Sequence, residues 1–190
     1  MLGVSHAAFA VMFINNSEFT NNSANHFGGV LGLTGVDTSS ITITNSEFTS
    51  NSANQFGGVL GLNEVDISFI TITNSEFTNN SANTFGGALT LNGIDDSIVI
   101  VTITHSEFNN NSANSFGGVL ALNGVDNSIT AITHSEFNNN SVNSLGGVLG
   151  LHLIDHSNIT ITHSEFNNNS ANQYAWWSAG SEWRVLWWIP

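Results

Sequence analysis

The sequence predicts an all-β fold, a right-handed parallel β-helix of about six coils, each of 29–31 residues with three short strands. Three observations predict it. The segment NSEFTNNSANHFGG at 16–29 returns as NSEFTSNSANQFGG at 45–58 and NSEFTNNSANTFGG at 74–87, then in variant form at 105–118 and 134–147. Aligned on the Phe of S-E-F, the copies place Phe19, Phe48, Phe77, Phe108, Phe137 and Phe166 at intervals of 29, 29, 31, 29 and 29. A fixed period of this size marks a solenoid or a propeller, and it is too short for a blade of ~40–50 residues. Lastly, apolar residues within each unit recur at every second position, the period of strands.

The elements follow in chain order. MLGVSHAAFAVMFI has no Lys or Arg before its apolar run and places Met12 and Ile14 where later coils are apolar. Residues 1–14 therefore read as an imperfect first coil or N-terminal cap of a repeat domain covering 1–174. Each unit then has a V-L-G-L run, such as Leu60/Leu62, with small residues between the leucines. An I-T-I-T run follows, as at Ile41–Thr44, and ends in an unvarying isoleucine column: Ile14, Ile43, Ile72, Ile103, Ile132 and Ile161. A third inward set pairs the Phe with the residue five later, usually Ala, as in Ala24, Ala53 and Ala82. The one longer interval maps to DDSIVIVTIT, 95–104, and reads as a two-residue insertion or bulge. Gly28-Gly29 and its repeats supply a tight corner, where positive φ is cheap only for glycine. The tail at 175–190 breaks the pattern: Tyr174 takes the aromatic place of Phe27, Ala175-Trp176 replaces Gly-Gly, and all five tryptophans lie here. It reads as a C-terminal cap, or else as a docking or membrane-interface segment or an out-of-frame terminus.

Composition narrows the function. Fourteen acidic side chains against one basic residue, Arg184, give a net charge of −13. That argues against contact with nucleic acid or an anionic membrane, which are bound through Lys/Arg clusters. There is no cysteine, so disulfides and thiolate metal sites are excluded. No stretch approaches the ~18–20 apolar residues of a transmembrane helix.

The pairing of F-x-x-N with a following G-G-[AVI] resembles the chlamydial polymorphic outer-membrane protein repeat. It reads F-T-N-N at 19–22 with GGV at 28–30, F-T-N-N at 77–80 with GGA at 86–88, and F-N-N-N at 108–111 with GGV at 117–119. The resemblance implies a right-handed β-helical passenger, extracellular or on the cell surface, linked to adhesion. Its partners would be host or neighbouring cell-surface proteins or glycans.

Several columns are candidates for chemistry. Asn22, Asn51, Asn80, Asn111, Asn140 and Asn169 are expected to form a structural ladder at a bend, each amide donating to one neighbour and accepting from the other. Thr42/Thr44, Thr71/Thr73, Thr102/Thr104 and Thr160/Thr162 form T-x-T pairs, with Thr133 beside Ala131. Their spacing, ~6.7 Å along a strand and ~4.8 Å between coils, resembles the ice-binding face of β-solenoid antifreeze proteins. They are the candidate binding residues, although threonine is also an ordinary exposed strand residue.

The glutamates Glu18, Glu47, Glu76, Glu107, Glu136 and Glu165 could line a calcium ladder or simply fan into water. The second reading is preferred, because the Gly/Asp-rich calcium loop of β-rolls is absent. Asp37, Asp66, Asp95, Asp126 and Asp155 read as turn stabilisers. His105, His134 and His163 replace column asparagines, and stacked imidazoles do not readily converge on one zinc ion. Asn21, Asn79, Asn110, Asn139 and Asn168 stand in N-x-S sequons, which an Asn/Ser-rich repeat produces by chance. With every coil carrying nearly the same acids, no catalytic constellation, cofactor or metal site is expected. The sequence thus points to adhesion or scaffolding, with ice binding as the alternative. A further alternative is filament formation, through self-association of open coil ends or the Trp-rich tail.

Overall fold

Asparagine and glycine tolerate the left-handed backbone region better than other residues, and their repetition sets where each coil turns. In the computed structural model, which describes residues 2–172 and the backbone of Arg184–Trp188, three columns of left-handed residues make the corners. The side chains of 94–96 lie outside it. Asn16, Asn45, Asn74, His105, His134 and His163 have φ of 48–49°. Asn21, Ser50, Asn79, Asn110, Asn139 and Asn168 have φ of 54–58°, and Gly28, Gly57, Gly86, Gly117 and Gly146 have φ of 56–74°.

Between these corners run three sheets, and every pairing is parallel. The long sheet contains Leu2–Asn15, Leu31–Thr44, Leu60–Thr73 and Leu89–Thr104. It continues through two split rows, Leu120–Asn123 with Ile129–Thr133 and Leu149–His152 with Asn158–Thr162, to Arg184–Trp188. A second, six-stranded sheet is made of E-F-T or E-F-N strands such as Glu76–Thr78, and a third of two-residue strands such as Ser81–Ala82. The molecule is therefore a parallel β-solenoid of three strands per coil.

The strands divide among the sheets in a way that period-two counting does not anticipate. V-L-G-L and I-T-I-T lie on one continuous strand in the early coils, bent near the left-handed residues His6, Gly35 and Glu64. The Phe and the Ala five later fall in different sheets, because the Asn corner stands between them. Register holds from Leu2↔Leu31 to Asn172, except where the two extra residues of the fourth coil shift it between Asn92 and Ile98. The strand Leu2–Asn15 pairs along the whole of Leu31–Thr44, with Met12 opposite Ile41 and Ile14 opposite Ile43. At the other end the backbone of Arg184–Trp188 pairs with Asn158–Thr162. Tyr174 and the Ala175-Trp176 step lie outside the described residues.

The core is a bundle of like columns. Leu31, Leu60, Leu89 and Leu120, with Ile43, Ile72, Ile103 and Ile132, are all at most 2% exposed. Phe48, Phe77, Phe108 and Phe137 belong to the same buried cluster and stack with ring centroids 4.7–4.9 Å apart. Phe27, Phe56 and Phe85 form a second, half-buried stack beside the glycine corner. The second glycine of each pair is required by close approach: a Cβ on Gly58 would overlap the carbonyl oxygen of Gly87 in the next coil.

Candidate functional site

The Asn ladder has the geometry that its column suggests, and more. Asn80 Nδ2 donates to Asn111 Oδ1 at 3.0 Å, while Asn80 Oδ1 accepts from Asn51 Nδ2 at 3.1 Å. The same Oδ1 accepts from the Asn51 backbone N–H at 2.9 Å, and Nδ2 also donates to the Phe48 carbonyl at 2.9 Å. Each buried amide thus closes the corner of its neighbours as well as linking to the next amide. Asn51, Asn80, Asn111 and Asn140 are fully buried, and Asn22 and Asn169 end the ladder half-buried.

Two further ladders escape a reading by identity alone. Serines 46, 75, 106 and 135 each donate from Oγ to the carbonyl two residues earlier and accept the backbone N–H of the preceding coil's serine. In the long sheet Asn92 Nδ2 donates to Asn63 Oδ1, Asn123 Nδ2 donates to Asn92 Oδ1, and His152 Nδ1 lies 2.6 Å from Asn123 Oδ1. The signal for this second amide ladder was the Asn after L-x-L in three successive coils. Asn92-Gly93 and Asn123-Gly124 read more readily as turns.

The threonine pairs all lie on the outer face of the long sheet. One column is Thr44, Thr73, Thr104, Thr133 and Thr162, and the other is Thr42, Thr71, Thr102, Ala131 and Thr160. Thr71 is exposed and the others are half-buried. Thr73 and Thr104 hydroxyls lie 3.2 Å apart, within hydrogen-bond reach. The second of these columns begins at Phe13, opposite Thr42. Farther from the Asn/His corner the same face changes character, and its rows carry Phe9 and Val11, then Thr38 and Ser40, then Ile67 and Phe69, then Ile98 and Ile100, then Ile129.

On the adjoining side, the six glutamates are exposed and in register. Thr20 and Thr78 hydroxyls donate to Glu18 and Glu76 at 3.0 and 2.7 Å. Between this column and the corner column runs an open trough of about 410 Å³, lined by Asn45, Glu47, Asn74, Glu76, His105 and Glu107 among others. Farther along, the His105, His134 and His163 rings stack at 4.9 and 4.8 Å, nearly parallel. Among the described residues no group of three or more His, Asp or Glu is placed to hold a metal ion. Asp37, Asp66 and Asp155 are exposed at the bend of the long sheet, and Asp126 is half-buried there. The side chain of Asp95 lies outside the described residues.

No helix among the described residues is long and apolar enough to cross a membrane. Compared with known proteins, the chain matches no curated protein and no solved structure. A protein-family profile does match, at residues 74–91: that of the Chlamydia polymorphic membrane protein repeat. The matched segment, NSEFTNNSANTFGGALTL, contains Phe77 of the ring stack, Asn80 of the buried ladder and the Gly86-Gly87 corner. This chain is a parallel β-solenoid carrying a Chlamydia polymorphic membrane protein-type repeat at residues 74–91.

Proposed function

We propose that this is a non-catalytic surface or secreted β-helix protein, adhesin-like or scaffolding, which binds through extended repetitive faces. The observation that carries the reading is the repetition of exposed columns. Glutamates, outer threonines and corner Asn/His residues recur coil after coil in one register, so the surface offers long ladders of identical groups. Such ladders suit multivalent contact with a repetitive partner, a cell-surface glycan or protein, better than recognition of a single small substrate. The repeat match adds support for a place at the cell surface. The acids are spread evenly over the coils rather than gathered around one reacting position, which favours a non-catalytic role.

The test is adhesion of the purified chain to a panel of cells and immobilised glycans. Saturable binding that rises with the number of ligand copies per bead supports the reading. A folded sample that binds none of them and hydrolyses a polysaccharide instead refutes it.

A second reading, ice binding, is favoured by the T-x-T columns on one sheet face. It is checked by thermal hysteresis and ice-crystal shaping, beside a Thr73→Tyr, Thr104→Tyr double variant. Activity lost in the variant supports it, and no activity in the folded wild type removes it.

A further inference from the structure

We infer that the apolar half of the outer face of the long sheet is a self-association surface, on which a second copy of this chain packs face to face. The face holds most of the exposed large apolar side chains of the described residues, among them Phe9 at 75% exposed, Phe13 at 76%, Phe69 at 42% and Ile98 at 43%, with Leu2, Leu153 and Phe166 lying elsewhere. Monomeric proteins rarely leave such side chains contiguous in water, and a patch of this kind marks an interaction surface.

Charge selects the occupant. Every copy carries a formal charge of −13, so most approaches between copies set carboxylates against carboxylates. The outward positions of this face, from Phe9 through Thr162, contain none. They are Phe, Val, Ile, Thr, Ser, Ala and Asn only. A partner rich in Lys or Arg would instead be drawn to the glutamate side, leaving this face for an uncharged surface, and the same face of a second copy qualifies.

Shape agrees with that choice. The Thr38–Ser40 row is small and lies between a large row, Phe9–Val11–Phe13, and another, Ile67–Phe69. A two-fold axis parallel to the strands, placed between the Ser40 and Phe69 rows, sets Phe69 of each copy over Ser40 of the other. The same operation brings Val11 opposite Ile100. In the two central rows large groups then meet small ones, Ile67 over Thr38 as well as Phe69 over Ser40, while the flanking apolar rows, Phe9–Val11 and Ile98–Ile100, meet each other in an isologous contact. The overlapping area is about 20 Å along the strands by about 20 Å across the coils. That is roughly 1,000 Å² of accessible surface over both copies, the lower end for a specific interface, and implies a weak reversible dimer. Asp37 and Asp66, neighbours in one column, border the contact and repel at its rim, so added salt should tighten the dimer.

Sedimentation equilibrium on the full chain tests this, at low and high salt and up to about 1 mM, the affinity range expected of a small interface. The expected result is a dimer that strengthens with salt. It should weaken at least about tenfold in Phe69→Glu, Ile98→Glu and stay within about twofold in Asn54→Glu, Asn83→Glu, which adds the same charge elsewhere. Both side chains replaced in the test variant are exposed, and an unchanged thermal melt confirms its folding. A wild type that is monomeric throughout overturns the inference, as does a dimer that both variants weaken equally. A monomer that adsorbs to ice or to zwitterionic vesicles through this face also overturns it, and assigns the face to that surface.

Discussion

Replacing Asn80 by alanine should be among the most damaging changes available in this chain. Asn80 is fully buried in the third coil, and its amide takes part in four hydrogen bonds, two as donor and two as acceptor. In Asn80→Ala the Asn51 backbone N–H loses its acceptor, the Phe48 carbonyl loses a donor, and one N–H of the Asn51 amide is left without its partner. That amide keeps its bond to the Phe19 carbonyl, and Asn111 Oδ1 keeps the Asn80 backbone N–H. Three buried groups losing a partner, at ~1–3 kcal/mol each, give a cost of about 3–9 kcal/mol. At about 2–4 °C per kcal/mol for a chain of this length, that corresponds to a fall in melting temperature of roughly 6–36 °C.

Asn22→Ala is the matched control. The Asn22 amide donates to Asn51 Oδ1 and weakly to the Thr20 carbonyl, is half-buried, and should cost about 1 kcal/mol or less. Asn80→Asp separates hydrogen bonding from the cavity. It keeps the shape and the acceptor but turns a carboxylate oxygen toward the Phe48 carbonyl and Asn111 Oδ1, so it should cost at least as much as alanine at neutral pH. Urea denaturation followed by circular dichroism measures all three. If Asn80→Ala costs no more than Asn22→Ala, the buried ladder is not what holds the corner and the reasoning fails.

Thr130 occupies the inward column otherwise filled by Ile41, Ile70, Val101 and Ile159, and its hydroxyl is buried without a partner. Thr130→Val should therefore stabilise the fold by about 1 kcal/mol in the same denaturation assay, and a loss of stability would show that the hydroxyl is satisfied in solution. Gly58→Ala should cost about 3 kcal/mol or more, because its Cβ would overlap the Gly87 carbonyl. Gly35→Ala should cost only about 1 kcal/mol, since its Cβ would make only ordinary contact with the His6 ring, at 3.5 Å, and only its φ of +60° is unfavourable. Equal melting temperatures for those two variants would argue against close coil packing at the glycine corner. Phe77→Ala, in the middle of the ring stack, should cost about 3–5 kcal/mol, and Phe166→Ala at the 37%-exposed end of the stack much less.

What the sequence determined by itself was much of what depends on a repeat meeting its own copy. Stacked coils place each residue opposite its equivalent, so a column such as Phe19 to Phe166 or Asn22 to Asn169 is a ladder as soon as the period is known. Two of the corners followed too, because the Asn column from Asn22 to Asn169, each residue next to one at positive φ, and the Gly-Gly steps recur once per coil. Three other features were decided only in the folded structure. The division of each coil into sheets depends on whether a left-handed residue turns the chain or merely bends it. Gly28 turns it between two sheets, whereas Gly35 bends a strand that continues as one element. The Asn63–Asn92–Asn123 ladder was obscured because its last place is taken by His152 and because Asn-Gly is locally a turn signal. The apolar outer face was hidden for a more basic reason. In a run such as Ile98-Val99-Ile100-Val101, inward and outward residues are chemically alike, so alternation does not say which set faces water. Pairing with Ile67–Phe69 on one side and Ile129 on the other does, by putting Ile98 and Ile100 on the outside. Periodicity specifies that two faces exist; only register against the neighbouring coils decides which of them is core.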